Sequence, residues 1–109
     1  MSAPTPLSKG RVTHLRHKFP MLPEAYFAHL LRVGWGKAES GRMIYDGPML
    51  PSEVYGPRVF EDEFVLLGDD FQGYCLAVQL TSGTLGELSP RGEWEEWPPF
   101  ETFESYVAR

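Results

Sequence analysis

Two apolar segments separated by a short polar loop constrain the fold of this chain most strongly. Residues 64–67 (Phe-Val-Leu-Leu) are continuously apolar, which is typical of a central strand that is covered on both faces. Residues 74–80 alternate instead, with Tyr, Leu, Val and Leu on one side and Cys, Ala and Gln on the other, the period of a β-strand. The loop at residues 69–73 (Asp-Asp-Phe-Gln-Gly) is rich in turn-forming residues. The sequence therefore predicts two antiparallel strands joined by this loop.

Further short strands are predicted on both sides of this hairpin. Residues 84–88 and 93–97 follow across turns that contain glycine, and hairpin-length loops favour an antiparallel meander of three or four strands. Residues 42–45 form an additional strand candidate, which we expect the Asp-Gly-Pro sequence at residues 46–48 to end.

Helices are predicted at both ends of the sheet. One begins at Pro23, a residue suited to the first helical turn, and it carries an apolar stripe up to Gly34. A short closing helix follows Thr102 as its N-cap, and residues 11–18 space two apolar side chains for one helical face. The predicted fold class is α+β, a mostly antiparallel sheet (a meander) packed by an N-terminal helix and a short C-terminal helix.

A length of 109 residues allows one domain with one core. We predict a flexible basic N-terminal arm over residues 1–18 and a single folded domain over residues 19–109. The one cysteine, Cys75, cannot form an internal disulfide. No segment has the apolar length of a membrane span or the pattern of a signal peptide. We therefore predict a cytoplasmic protein with no membrane partner.

Charge is divided unevenly along the chain. Residues 1–45 carry seven Lys or Arg against two acids, a net +5, whereas residues 46–109 carry thirteen acids against three Arg, a net −10. The division indicates an acidic working surface and a basic N-terminal arm, although a charged face also serves simple solvation. Since phosphate backbones require positive charge where they dock, the acidic half argues against direct nucleic-acid binding.

The candidate chemical groups favour structural roles. Asp69 and Asp70 are adjacent acids that can bind a hard cation, but Asp also stabilises turns, and we favour the turn, with partner contact second. His14 and His17 have the spacing of a metal-binding pair, yet they lie among basic residues, which favours a solvated face. Cys75 is expected to be an inert buried thiol. No nucleophile elbow, P-loop, zinc-protease motif or dinucleotide fingerprint is present. We predict a non-enzyme with no catalytic residue, metal or cofactor.

Four segments resemble the signature of one protein family. Residues 64–70 (Phe-Val-Leu-Leu-Gly-Asp-Asp) and 73–78 (Gly-Tyr-Cys-Leu-Ala-Val) are similar to the central strand, Gly-Asp loop and following strand of the SUKH superfamily, also called Smi/Knr-like. Residues 22–26 resemble the opening Leu-Pro-x-x-Tyr helix of that family, and residues 102–107 resemble its closing helix. The resemblance covers residues 20–109. It implies an α+β fold and, for bacterial members, an immunity protein that neutralises a cognate toxin; it implies no catalytic residues.

The resemblance and the acidic second half together predict a non-catalytic immunity-type protein that binds and neutralises a bacterial toxin. A basic toxin, for example a nuclease, is the expected partner because an acidic surface attracts it. The alternative is an intracellular regulatory or scaffold protein that binds a host protein or peptide. We expect a monomer or a weak homodimer. The predicted partner-binding residues are acids of the second half and one aromatic anchor: Glu53, Glu61, Asp62, Glu63, Asp69, Asp70, Trp94, Glu95 and Glu96.

Overall fold

The computed structural model describes residues 5–55, 63–98 and 101–108. Within these ranges six strands form one antiparallel sheet, in which each strand pairs with its neighbours in the chain. The strands are β1 (Gly36–Lys37), β2 (Met43–Met49), β3 (Phe64–Asp69), β4 (Cys75–Gln79), β5 (Leu85–Leu88) and β6 (Trp94–Glu96). The predicted α+β class and antiparallel meander are confirmed.

The described residues also form four helices: α1 (Lys9–Lys18), α2 (Glu24–Arg32), α3 (Pro51–Tyr55) and α4 (Phe103–Ala108). Pro23 is the N-cap of α2, and the Thr102 hydroxyl accepts a hydrogen bond from the Ser105 N–H at 3.2 Å, the predicted cap of α4. The chain leaves α2 at Gly34, where φ is +108° and a Cβ would lie 2.0 Å from the carbonyl carbon of Thr5. Glycine is therefore required at this exit.

The main core lies between the helices and one face of the sheet. Leu76 and Val78 of β4 lie on this face, and Tyr26, Phe27 and Leu30 of α2 pack in the same cluster; all five are at most 2% exposed. The alternation predicted for β4 thus places its large side chains against the helices. Burial of these apolar surfaces is the principal stabilisation of the fold.

The opposite face of the sheet holds a smaller apolar cluster. Leu66, Cys75, Ala77 and Leu88 are buried there, and partly buried Tyr45, Phe64 and Trp94 pack against them. β3 therefore contributes side chains to both clusters, which explains its continuous apolar sequence. Cys75 is 1% exposed.

The prediction of a flexible arm over residues 1–18 is wrong for residues 9–18. These residues form α1, whose N-cap Ser8 accepts a hydrogen bond from the Arg11 N–H at 3.1 Å. Val12 and Leu15 are 1% and 5% exposed in the main core. Two buried apolar anchors outweigh the basic composition of this segment, and the helical spacing noted in the sequence is confirmed. Residues 1–4 lie outside the described part of the chain.

The predicted end of a strand at residues 46–48 is also wrong, whereas the predicted strands over residues 64–97 are confirmed as β3 to β6. β2 continues through Asp-Gly-Pro to Met49. Its register against β3 shifts, so that Ile44 lies opposite Gly68 while Met49 lies opposite Leu66. The extra residues of β2 are accommodated as an irregularity of the bulge type. Proline is tolerated there because β1 pairs only with the first two residues of β2.

Candidate partner-binding groove

The β5–β6 hairpin places two glutamates directly across from each other. Glu87 of β5 pairs with Glu95 of β6, and this register is set by a turn in which the Ser89 hydroxyl accepts hydrogen bonds from the N–H groups of Arg91 and Glu93, both at 3.1 Å. Residues directly opposite in an antiparallel pair share one face. Glu87 also lies opposite Leu76 of the main core, so both glutamate side chains lie on the helix-covered side of the sheet.

Two adjoining cavities share Glu87 and Glu95 as lining residues. One has a volume of about 280 Å³ and extends to α4, and the other has a volume of about 300 Å³ and extends to the loop between β3 and β4. Their further lining includes Arg42, Tyr74, Ser89, Glu93, Trp94, Trp97, Pro98, Glu101 and Tyr106. We call the acids of this depression, Glu87, Glu93, Glu95 and Glu101, the acidic groove.

The carboxylates of the groove repel each other. Partial burial, followed by the negative charges of Asp70 and Glu95, raises the pKa of Glu87 above its usual value, and Arg42 opposes this shift. The carboxylates of Glu87, Glu93 and Glu95 make no hydrogen bond or ion pair with any described residue. These three side chains therefore present negative charge that Arg42 compensates only in part and that a cationic ligand would stabilise.

Arg42 and Tyr106 form the wall of the groove next to α4. The Arg42 Nη1 donates to the carbonyl oxygen of Tyr106 at 2.9 Å, and its guanidinium carbon lies 4.9 Å from the centre of the Tyr106 ring. The Trp97 ring lies 5.9 Å from the same ring, centre to centre. Arg42 thus contacts a carbonyl oxygen and an aromatic ring, and it forms no close ion pair with a groove carboxylate among the described residues.

Of the predicted partner-binding residues, Glu95 lies in the groove and Asp70 lies beside it. The Oδ1 of Asp70 accepts hydrogen bonds from the N–H groups of Gln72 and Tyr74 at 2.8 and 3.2 Å. Asp69 Oδ1 accepts from the Phe71 N–H at 3.0 Å, and its Oδ2 accepts from the Tyr45 hydroxyl at 2.7 Å. The favoured interpretation that both acids stabilise the turn is confirmed.

Among the other predicted residues that the structure describes, Trp94 lines one of the two cavities, and Glu53, Glu63 and Glu96 line neither. Glu96 hydrogen-bonds to the Thr84 hydroxyl at 3.3 Å on the opposite face, where the Trp94 ring packs 4.8 Å from the Phe64 ring, centre to centre. Trp94 is therefore half-buried over the second apolar cluster and also lines the cavity next to the 69–73 loop.

Glu53 and Glu63 lie outside the groove. Glu53 of α3 accepts a hydrogen bond from the Leu50 N–H at 3.2 Å and lines a separate cavity with the basic residues of α1. Glu63 precedes β3 at the end opposite the 69–73 loop. Glu61 and Asp62 lie outside the described residues.

Sequence reasoning missed Glu87, Glu93 and Glu101 as members of one site with Glu95. A usable signal was present: with the Pro-Arg-Gly turn at residues 90–92 as the centre of a hairpin, Glu87 and Glu95 fall opposite each other. Like charges in directly opposed positions destabilise a sheet. Such a pair in a hairpin therefore indicates a role other than folding. Glu101 follows the last strand, so strand register could not predict that it lines the groove.

The other candidate groups form no evident chemical site. His14 and His17 are exposed on α1, and no three His, Cys, Asp or Glu side chains in the described ranges are arranged to hold a metal ion. No helix among the described residues is long and apolar enough to cross a membrane.

A scan of protein-family models and searches of curated proteins and of solved structures found no match to this chain.

Proposed function

We propose that this chain is a non-catalytic immunity-type protein that binds and neutralises a cognate bacterial toxin through the acidic groove. The observation that carries the proposal is that the carboxylates of Glu87, Glu93 and Glu95 make no hydrogen bond or ion pair with any described residue, with Glu87 directly opposite Glu95. This arrangement costs stability in the free protein and becomes favourable when positive charge is supplied from outside.

The chemistry of the groove favours a basic protein as the partner. Several Lys or Arg side chains can enter a depression whose carboxylates are spread over two adjoining cavities. Charge complementarity of this kind raises association rates by roughly 10- to 1,000-fold at low salt. A basic toxin such as a nuclease would therefore be captured quickly, which is what protection from a lethal protein requires.

The immunity role is further supported by the resemblance to the SUKH superfamily. That resemblance implies an α+β fold with a mostly antiparallel sheet, and its central segments form the β3–β4 hairpin. The loop of this hairpin carries Asp70, which contributes to the field at Glu87. The residues that suggest the family and those that suggest the partner thus lie next to each other.

Co-expression tests the immunity role. If the gene beside the one for this chain encodes a secreted polypeptide with a C-terminal toxin domain, expression of that toxin domain should stop cell growth, and co-expression of this chain should restore it. Purified chain should also form a stable complex with the toxin domain in size-exclusion chromatography.

Continued killing in the presence of soluble, folded chain would refute the immunity role. The role would also be refuted if no neighbouring gene encodes a toxin domain and the chain fails to protect cells against toxin domains from related gene clusters. Either result would favour the regulatory or scaffold alternative, in which the groove binds a basic host protein or peptide.

A further inference from the structure

The β3–β4 loop exposes an aromatic side chain at its tip. Phe71 is 63% exposed, more than any other large apolar side chain that the structure describes, and Tyr74 in the same loop is 42% exposed. Large apolar groups that remain in solvent mark interaction sites when they cluster. These two aromatics therefore call for an explanation outside the fold.

The backbone at Phe71 adds to this argument. Its φ is +65°, and it is the one residue other than glycine with positive φ in the described ranges. Asn and Gly adopt this region more easily than Phe. The loop is held in this conformation by the carboxylates of Asp69 and Asp70, which accept hydrogen bonds from the N–H groups of Phe71 and Gln72. A bulky aromatic in a left-handed conformation, and exposed there, does not serve the folded monomer.

The aromatic loop and the acidic groove form one continuous surface. Tyr74 lines the same cavity as Glu87, Glu93 and Glu95. The loop also touches the β5–β6 turn, since a Cβ placed on Gly73 would lie 2.9 Å from the Cγ of Pro90. The two hairpin ends thus pack together, with Tyr74 beside the acids and Phe71 exposed three residues earlier in the same loop.

We propose that Phe71 and Tyr74 form, with the acidic groove, a docking surface for a protein segment that presents an apolar side chain flanked by Arg or Lys. This inference rests on the proposed function and adds the apolar half of the partner's chemistry. Exposed aromatics supply the buried anchors that dominate binding energy, and their faces also attract cations. The acids orient the segment and accelerate its approach.

A peptide titration tests the docking surface without knowledge of the toxin. The probe is a five-residue peptide of alternating arginine and leucine with blocked ends, followed by amide shifts in NMR. Matched peptides replace arginine by glutamate or leucine by alanine. We expect shifts at residues 69–74 and 87–95 with the arginine–leucine peptide, weaker shifts with the alanine peptide and none with the glutamate peptide.

The variant Phe71→Asn separates binding from folding, because asparagine accepts positive φ. We expect an unchanged or higher melting temperature together with about tenfold weaker peptide binding, the loss typical of a central anchor. Phe71→Gly should behave alike. Val33→Asn, which removes an apolar side chain with 43% exposure at the end of α2, is the matched control and should bind as the parent does.

Equal binding by Phe71→Asn, shifts confined to another surface, or no shift at millimolar peptide would each overturn the docking surface. Loss of folding on Phe71→Asn and Phe71→Gly together would also overturn it, since the aromatic would then be structural. Growth rescue against the toxin domain is scored separately. Rescue without peptide binding would remove this inference and leave the proposed function in place.

Discussion

Replacing Glu87 by glutamine is expected to stabilise the fold at neutral pH. Glu87 lies opposite Glu95 in the β5–β6 pair and near Asp70, while Arg42 supplies the opposing charge. Glutamine has nearly the same shape as glutamate, so the substitution removes the charge and keeps the packing. The expected change in stability therefore reports the cost of keeping this carboxylate charged in the groove, from its partial burial and from repulsion by Asp70 and Glu95.

The magnitude follows from the separation of opposed side chains. Two unit charges roughly 5 Å apart in water repel by about 0.8 kcal/mol, and physiological salt reduces this to about 0.4 kcal/mol. Measured cross-strand pairs span about 0.2–1 kcal/mol, which brackets the estimate. For a domain of this size the gain of about 0.4 kcal/mol corresponds to an increase of about 2–3 °C in melting temperature.

The gain should depend on pH in a defined direction. Burial and the neighbouring acids raise the pKa of Glu87 in the folded chain, so the folded state binds a proton more tightly than the unfolded state does. Between the ordinary and the raised pKa, stability falls as pH rises, and the full penalty is present above the folded pKa. The advantage of Glu87→Gln should thus be greatest above the raised pKa and disappear as pH falls below the ordinary glutamate pKa.

Urea unfolding followed by fluorescence, at pH 7 and at pH 4, measures this effect. Glu96→Gln is the matched control, because Glu96 faces the other side of the sheet and hydrogen-bonds to Thr84; it should give no gain. A lower free energy of unfolding for Glu87→Gln, or an equal increase for Glu96→Gln, would refute the claim that the repulsion lies in the groove.

Three further substitutions test other parts of the fold. Leu15→Ala should lower the free energy of unfolding by about 2–5 kcal/mol, because Leu15 is buried in the core. Thr13→Ala, at an exposed position of the same helix, should change it by less than about 0.5 kcal/mol. Equal values for the two variants in urea unfolding would mean that α1 does not pack on the core. Asp70→Ala should lower the free energy of unfolding by about 1–3 kcal/mol, because it removes the acceptor for two N–H groups. Asp70→Asn keeps an acceptor oxygen and should retain most of the stability. An equal loss of stability in both variants would assign the effect to the charge of Asp70. Gly34→Ala should lower the melting temperature by several degrees, because φ is +108° and the new Cβ meets the backbone of Thr5; an unchanged melting temperature would contradict that contact.

The sequence was most informative where local pattern and burial agree. The alternation of β4 and the apolar run of β3 both follow from a sheet covered on two faces. The cap at Thr102 and the turn at Asp69 and Asp70 were equally predictable, because their hydrogen bonds join residues close in the chain.

Prediction failed where a distant contact decides the local structure. The basic composition of residues 9–18 suggested a loose arm, but Val12 and Leu15 anchor that segment to the core. The Asp-Gly-Pro sequence in β2 suggested a strand end, but pairing with β3 resumes at Met49.

The acidic groove was also predictable only in part. Glu95 and Asp70 were predicted from their place in the acidic half of the chain. Glu87 joins them through strand register, and Glu101 joins through the approach of the chain next to α4. Neither relation is visible from composition.

Association kinetics test the central claim, that the groove recognises the partner, most directly. Two triple variants lose the same amount of negative charge through replacement of Glu by Gln. The groove variant changes Glu87, Glu93 and Glu95, and the control variant changes Glu53, Glu63 and Glu96. Each is mixed by stopped flow with the inactivated toxin domain at increasing salt. The account predicts that the groove variant associates at least about tenfold more slowly at low salt, with a flatter salt dependence, while the control stays close to the parent. Equal slowing of both variants, or of neither, would contradict it.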